Sequence, residues 1–162
     1  MPTKMTADIT IENLGQMLQF GERLGRDLVG GVTVELVGDV GTGKTTLTKG
    51  IAKGLGIDED VQSPSFTISR TYPARDDLEL HHYDFYRLTD PGIMRYELTE
   101  SVTDPKAVTV VEWADSVSDV LPSPRITVRL EHAEAEGVRL LHISTYDGFR
   151  LIGDGGRGKI WY

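Results

Sequence analysis

The sequence predicts one α/β domain of three layers, with a mixed, partly antiparallel sheet between helices. Three observations lead there. A β-branched apolar run, Val32 to Val37, is followed by a glycine-rich segment and then by Leu47, Ile51 and Leu55 at helical spacing, which is the strand, loop, helix order of a parallel α/β unit. Ala107-Val108-Thr109-Val110-Val111 is a nearly continuous apolar run, as expected of a strand covered on both faces. Finally, Thr67 to Tyr72 with Leu78 to Phe85, and Arg125 to His132 with Val138 to Thr145, alternate around short polar connections and read as two antiparallel hairpins. At 162 residues the chain suits one core, so 1–162 is read as a single domain with 147–162 as a flexible, glycine-rich tail.

The elements follow in order. Ile9-Thr10-Ile11 is a short alternating stretch, and Asn13 stands where an N-cap belongs, before a helix whose apolar positions are Leu14, Met17, Leu18, Leu24 and Leu28. Gly30-Gly31 ends that helix and opens the Val32 to Val37 strand. The helix after the glycine segment runs to Gly54-Leu55-Gly56, where glycine is a natural stop. Asp90-Pro91, with Thr89 as cap, fits the start of a short helix through Met94 and Leu98. Ala114 to Leu121 reads as an amphipathic helix stopped by Pro122 and Pro124.

Chemistry concentrates between the first apolar strand and its helix. Gly38-x-x-x-x-Gly43-Lys44-Thr45 has the Walker A spacing. Its glycines let successive backbone N–H groups turn toward phosphate oxygens, its lysine reaches the terminal phosphates, and its threonine hydroxyl suits magnesium. The helix that follows aims its N-terminal N–H groups and positive dipole end at the same place. Asp39, Val40, Gly41, Thr42, Gly43, Lys44, Thr45 and Thr46 are therefore the expected nucleotide-holding segment, with a nucleoside triphosphate and Mg2+ as ligands and ATP as the nucleotide that the resemblance below implies.

Two acids compete for the metal. Asp84 ends the strand in which Leu80, His82 and Asp84 share a face, and Glu112 ends the apolar run from Ala107; on apolar context Glu112 is the better Walker B acid. Ser63-Pro64-Ser65-Phe66-Thr67 offers three hydroxyls on stiffened backbone, which reads either as a nucleotide-sensing switch or as an ordinary serine-proline turn. The neighbouring His81 and His82 do not make a zinc site with the distant His132 and His142.

Composition narrows the function. Hydrophobic residues at 39% and charged residues at 26% describe a globular chain, and no apolar stretch approaches a membrane span or a signal-peptide core, so a cytoplasmic protein without membrane contact is expected. With no cysteine there are no disulfides, thiolate metal sites or Cys nucleophiles. A net charge of −8 argues against a broad DNA- or RNA-binding face; any nucleic acid would be held by a partner. A small-molecule kinase would need an arginine-rich lid, whereas the arginines here are dispersed, and a GTPase would need an Asn-Lys-x-Asp block that is missing. A nucleotide-dependent scaffold with little catalytic role stays open.

The series Gly38 to Thr46, Ser63 to Thr67, His82-Tyr83-Asp84-Phe85-Tyr86-Arg87-Leu88 and Glu112-Trp113 closely resembles the TsaE (YjeE) family of bacterial P-loop ATPases. The resemblance runs from about the first helix to the hairpin near Thr145. It implies a P-loop NTPase-like fold and an ATPase that, with TsaB, TsaD and TsaC-type partners, supports threonylcarbamoylation of tRNA adenosine 37 (t6A) and meets tRNA only indirectly. It further implies Lys44 on the phosphates, Thr45 and Glu112 around magnesium, Asp84 as Walker B acid, and Ser63, Ser65 and Thr67 as the first switch. Trp113 would report nucleotide binding, and Asn13 and the turn at Gly137 would flank the adenine. Ser65 stands where the family usually carries threonine, which keeps the hydroxyl. No arginine finger is assigned: Arg87 is a candidate in cis, and a partner could supply another.

Overall fold

A computed structural model describes residues 4–62, 68–86, 90–123 and 125–146. Seven strands form one sheet: β1 (Lys4–Ile11), β2 (Thr33–Val37), β3 (Ser69–Pro73), β4 (Glu79–Asp84), β5 (Ala107–Glu112), β6 (Ile126–His132) and β7 (Arg139–Tyr146). Three helices join them: α1 (Leu14–Asp27), α2 (Lys44–Gly54) and α3 (Met94–Thr103). The order across the sheet is β1-β7-β6-β2-β5-β4-β3. Strands β6, β2, β5 and β4 are parallel neighbours, while β3, β7 and β1 pair antiparallel at the flanks, so the mixed sheet and both hairpins stand.

Burial follows strand position. All six residues of the central β5 are buried, as its apolar run requires. Helices α1 and α2 cover one face, where Leu24, Leu36, Leu47, Ile51, Leu80, Val110 and Val128 meet in the main core. On the other face α3 and a short 3-10 turn, Ala114–Val117, pack with Tyr83, Phe85 and Val111 in a smaller core. Among the described residues that second layer stops short of β6 and β7, where Glu35, Thr127, Arg129, His142 and Ser144 line a polar face. Among the described residues no helix is long and apolar enough to cross a membrane.

Helices α1 and α2 touch backbone to backbone. Gly21 and Gly25 of α1 face Gly50 and Gly54 of α2, and a Cβ at Gly50 would lie 2.6 Å from the Leu18 carbonyl oxygen and 2.9 Å from the Gly21 Cα. Gly54 is thus an interior contact of α2, and the chain leaves that helix at Leu55 and Gly56, the latter at φ 77°.

Three expectations shift. The strand read as Ile9-Thr10-Ile11 extends back to Lys4, because β7 supplies a partner along its whole length. α3 begins at Met94, not at Asp90, since the Asp90 carboxylate accepts from the Gly92 N–H at 3.1 Å and holds a local turn in place of a helical one. Ala114 to Leu121 is not an α-helix. Its backbone closes with three-residue spacing, Val120 N–H to Val117 C=O at 2.9 Å and Leu121 N–H to Ser118 C=O at 3.3 Å. The switch segment Ser63, Ser65 and Thr67, the cap Thr89, Arg87 and the 147–162 tail lie outside the described residues.

Candidate functional site

The register places every described candidate at one edge of the sheet. Leu36 of β2 is level with Glu112 of β5, and Glu112 with Asp84 of β4, so the loop after β2 and both acids emerge side by side. Ile11 pairs with Arg139, which brings Asn13 and the Gly137 turn to the same edge. Ligands of open parallel sheets bind at this edge, beyond the carboxyl ends of the strands.

The loop is built around two glycines with positive φ, Gly41 at 83° and Gly43 at 108°. Gly43 is the N-cap of α2 and offers no side chain, so the first N–H groups of that helix are left for an outside acceptor. Thr42 closes the loop internally: its N–H and its hydroxyl both reach the Asp39 carbonyl, at 3.3 and 2.8 Å. Asp39, Val40, Gly41 and Thr45 are exposed, Thr46 half-buried, and a Cβ at Gly41 would meet nothing within 4 Å. The result is an open cradle of backbone donors.

Lys44 lies folded into the cradle. Its ammonium donates to the Gly38 carbonyl and, at 3.0 Å, to the Asp39 carbonyl, and it sits 4.4 Å from the centre of the Trp113 ring. Burial pulls its pKa below the usual lysine range, against the opposing pull of Glu112, Asp84 and Asp39. Trp113 takes a left-handed backbone at φ 55°, uncommon for a bulky residue, and its ring is 4.7 Å from that of Tyr86. A cavity of about 390 Å3 opens beside them, lined by Gly38, Asp39, Thr42, Trp113, Arg129 and Glu131 among others.

The two acids differ in setting. Asp84 is half-buried and its Oδ1 accepts from the Tyr86 N–H at 2.9 Å. Glu112 is 3% exposed, and its Oε2 lies 2.6 Å from Nε2 of the fully buried His82. A hydroxyl at Thr45 and two carboxylates would offer oxygen donors alone, which would suit a hard cation such as magnesium and not a soft one.

The adenine-flanking candidates are less tightly joined to the loop. Asn13 is committed to capping α1, accepting from the Gln16 N–H at 2.9 Å, while Gln16 Oε1 accepts from the Glu12 N–H at 2.7 Å. Gly137 occupies the β6–β7 turn at φ 80°. Two residues beyond it, Arg139 donates to the Gly41 carbonyl at 3.2 Å and ties that turn to the cradle.

Sequence reasoning missed Tyr86, Arg139 and the inward role of His82. Tyr86 stood inside the His82 to Leu88 block without a role, and Arg139 had no signal, because its contact is with a loop distant in sequence. His82 did have one: it shares a strand face with Asp84, and once β4 lies parallel to β5 that face must meet Glu112.

Comparison with known proteins agrees with the geometry. The family model described as "Threonylcarbamoyl adenosine biosynthesis protein TsaE" matches residues 11–141. The chain is 35% identical over 146 residues to the tRNA threonylcarbamoyladenosine biosynthesis protein TsaE of Streptomyces coelicolor, covering 90% of this chain and 93% of that one. It is 40% identical over 107 residues to the protein of the same name from Bacillus subtilis, covering 64% and 63%. Among solved structures, the crystal structure of Bacillus subtilis YdiB superposes with a TM-score of 0.70 at 29% identity, over 88% of this chain and 87% of that one. A P-loop cradle on a mixed sheet, joined to a family match from the end of β1 into β7, means that the chain belongs to the TsaE family.

Proposed function

We propose that this protein is a magnesium-dependent P-loop ATPase that serves t6A formation on tRNA, its turnover gated by a TsaB–TsaD-type complex, with a TsaC-type enzyme acting in the same process. The observation that carries the ATPase reading is the convergence of an uncapped helix N-terminus, the Lys44 ammonium and two strand-end carboxylates on one edge. The relatives' names supply the process.

The chemistry asked of the chain is modest. Phosphoryl transfer to water is catalysed mainly by positioning and charge stabilisation. The N–H groups of residues 41–46 would cradle the phosphates, and Lys44 would exchange the Gly38 and Asp39 carbonyls for terminal phosphate oxygens. Thr45, Asp84 and Glu112 would hold magnesium, which when bound would offset the charge of the phosphates. Of the two acids, the buried Glu112 is the better placed to orient an attacking water, because its carboxylate is shielded from bulk solvent.

Among the described residues, Arg129 is the arginine that lines the cavity beside the loop, and it lies on the sheet side of that cavity. Partner gating is the further part of this reading: a P-loop ATPase whose arginine finger comes from a partner hydrolyses slowly until that partner completes the site. The test compares Glu112→Gln and Lys44→Ala in ATP binding and in turnover with and without the partner complex. Glu112→Gln should bind nucleotide and lose turnover, and Lys44→Ala should lose both. Fast hydrolysis indifferent to partners would defeat the gating, and a fully functional Glu112→Gln would favour a nucleotide-dependent scaffold.

A further inference from the structure

We propose that His82 is the positioning residue for Glu112, its Nε2–H clamping one carboxylate oxygen so that the other faces the nucleotide edge. This rests on the reading that Glu112 serves the magnesium site.

The two side chains meet because of register. His82 is level with Val110 and Asp84 with Glu112, so His82 lies one step below Glu112 on the same face, where α2 covers the sheet. His82 is wholly buried, and its Nε2 is 2.6 Å from Glu112 Oε2. Its other ring nitrogen, Nδ1, is buried with no hydrogen-bond partner among the described residues. That orphan decides the tautomer. A proton on Nδ1 alone would bury an unsatisfied donor at a cost of about 1–3 kcal/mol and would set an unprotonated Nε2 against a carboxylate oxygen. With a single proton on Nε2, the ring donates where an acceptor waits and leaves only a lone pair unmet.

Two consequences follow for the site. Oε2 is committed to His82, while Oε1 has no protein hydrogen bond among the described residues, so the carboxylate presents one oxygen in a fixed direction. The clamp also keeps Glu112 from swinging onto Lys44, whose ammonium turns instead to the loop carbonyls. A lysine neutralised by Glu112 would be lost to phosphate. Residues that orient metal-site ligands in this way typically contribute about 10- to 100-fold to metal affinity or activity.

Two amide substitutions separate clamping from filling space. The side-chain nitrogen of Gln at 82 reaches where Nε2 is, whereas that of Asn reaches only to the position of Nδ1. The primary readout is the magnesium-dependent gain in affinity for a non-hydrolysable ATP analogue, measured as the ratio of Kd in EDTA to Kd in excess Mg2+. His82→Gln should keep this ratio within about threefold of the parent. His82→Asn should lower it about 10- to 100-fold. Equal ratios for the two variants would overturn the proposal.

A second measurement needs neither variant nor metal. Long-range imidazole 1H–15N NMR of the parent protein should show a proton on His82 Nε2, and a proton on Nδ1 alone would overturn the proposal even if a variant fails to fold. Glu112→Gln keeps the two readings distinct. If it retains the full magnesium effect, the metal reading of Glu112 fails; if it loses the effect while His82→Asn keeps it, only the clamp fails.

Discussion

Lys44 rests on the Gly38 and Asp39 carbonyls and under the Trp113 ring, so a nucleotide must draw its ammonium away from contacts it already has. Lys44→Ala is expected to weaken ATP binding about 10- to 100-fold, the range for a lost charged hydrogen bond, by isothermal calorimetry. Because burial lowers the lysine pKa and only the ammonium pairs with phosphate, affinity should fall with rising pH before the ordinary lysine value of 10.5 is reached. A titration of Kd against pH checks the sign. Trp113 should report the same event. In a Trp161→Phe background, which leaves one tryptophan, nucleotide binding should change its emission, and Lys44→Ala should alter the emission of the free protein. The loop residues and both acids were legible in the sequence because their spacing is dictated by chemistry. Which acid is buried was legible only as a contrast in apolar context, and that contrast favoured Glu112, the acid found at 3% exposure.

At the scale of elements, apolar periodicity found the strands from β2 onward and the end of β1, and located α1 and α2, since core burial demands it. It failed where local hydrogen bonding or close approach governs. The Ala114 to Leu121 segment has a helical pattern, but it is too short to offset helix nucleation and follows the left-handed Trp113, so it settles into tight turns. The seam between α1 and α2 was invisible for the opposite reason, because glycine carries no apolar signal and Gly54 reads as a stop. Its trace in the sequence is two glycine pairs at four-residue spacing, Gly21 with Gly25 and Gly50 with Gly54. Gly50→Ala is expected to cost about 1–3 kcal/mol through overpacking, against the small gain alanine brings to an exposed helix. Urea unfolding monitored by circular dichroism measures it. If the added methyl is accommodated without loss, the helices are not in backbone contact.

For the molecule as a whole, neither strand order nor the bond between distant strands could be read from the chain. One such bond carries a pH dependence. His142 of β7 places its ring between Asp8 of β1 and Glu131 of β6, at 2.8 and 3.1 Å, and these carboxylates hold its pKa above the ordinary value of 6.5. A histidine raised in the folded state contributes its stability in full below the unfolded value and loses it as pH rises through the folded one. All three side chains reach solvent, so the effect is small, about 0–1 kcal/mol. Amide exchange of β1, corrected for intrinsic rates, should be less protected at pH 8 than at pH 6, and His142→Gln should remove the difference.

The same pairing has a consequence for synthesis of the protein. Among the described residues the first strand finds its partner only in β7, and β7 also carries Arg139, which braces the loop at Gly41. A ribosome that has not yet released β7 holds a chain whose β1 is unpaired and whose β6 edge is open, the condition in which chaperones and stray strands compete for it. Stalled nascent chains ending before Arg139 should therefore bind ATP weakly, and competence should appear abruptly once β7 emerges.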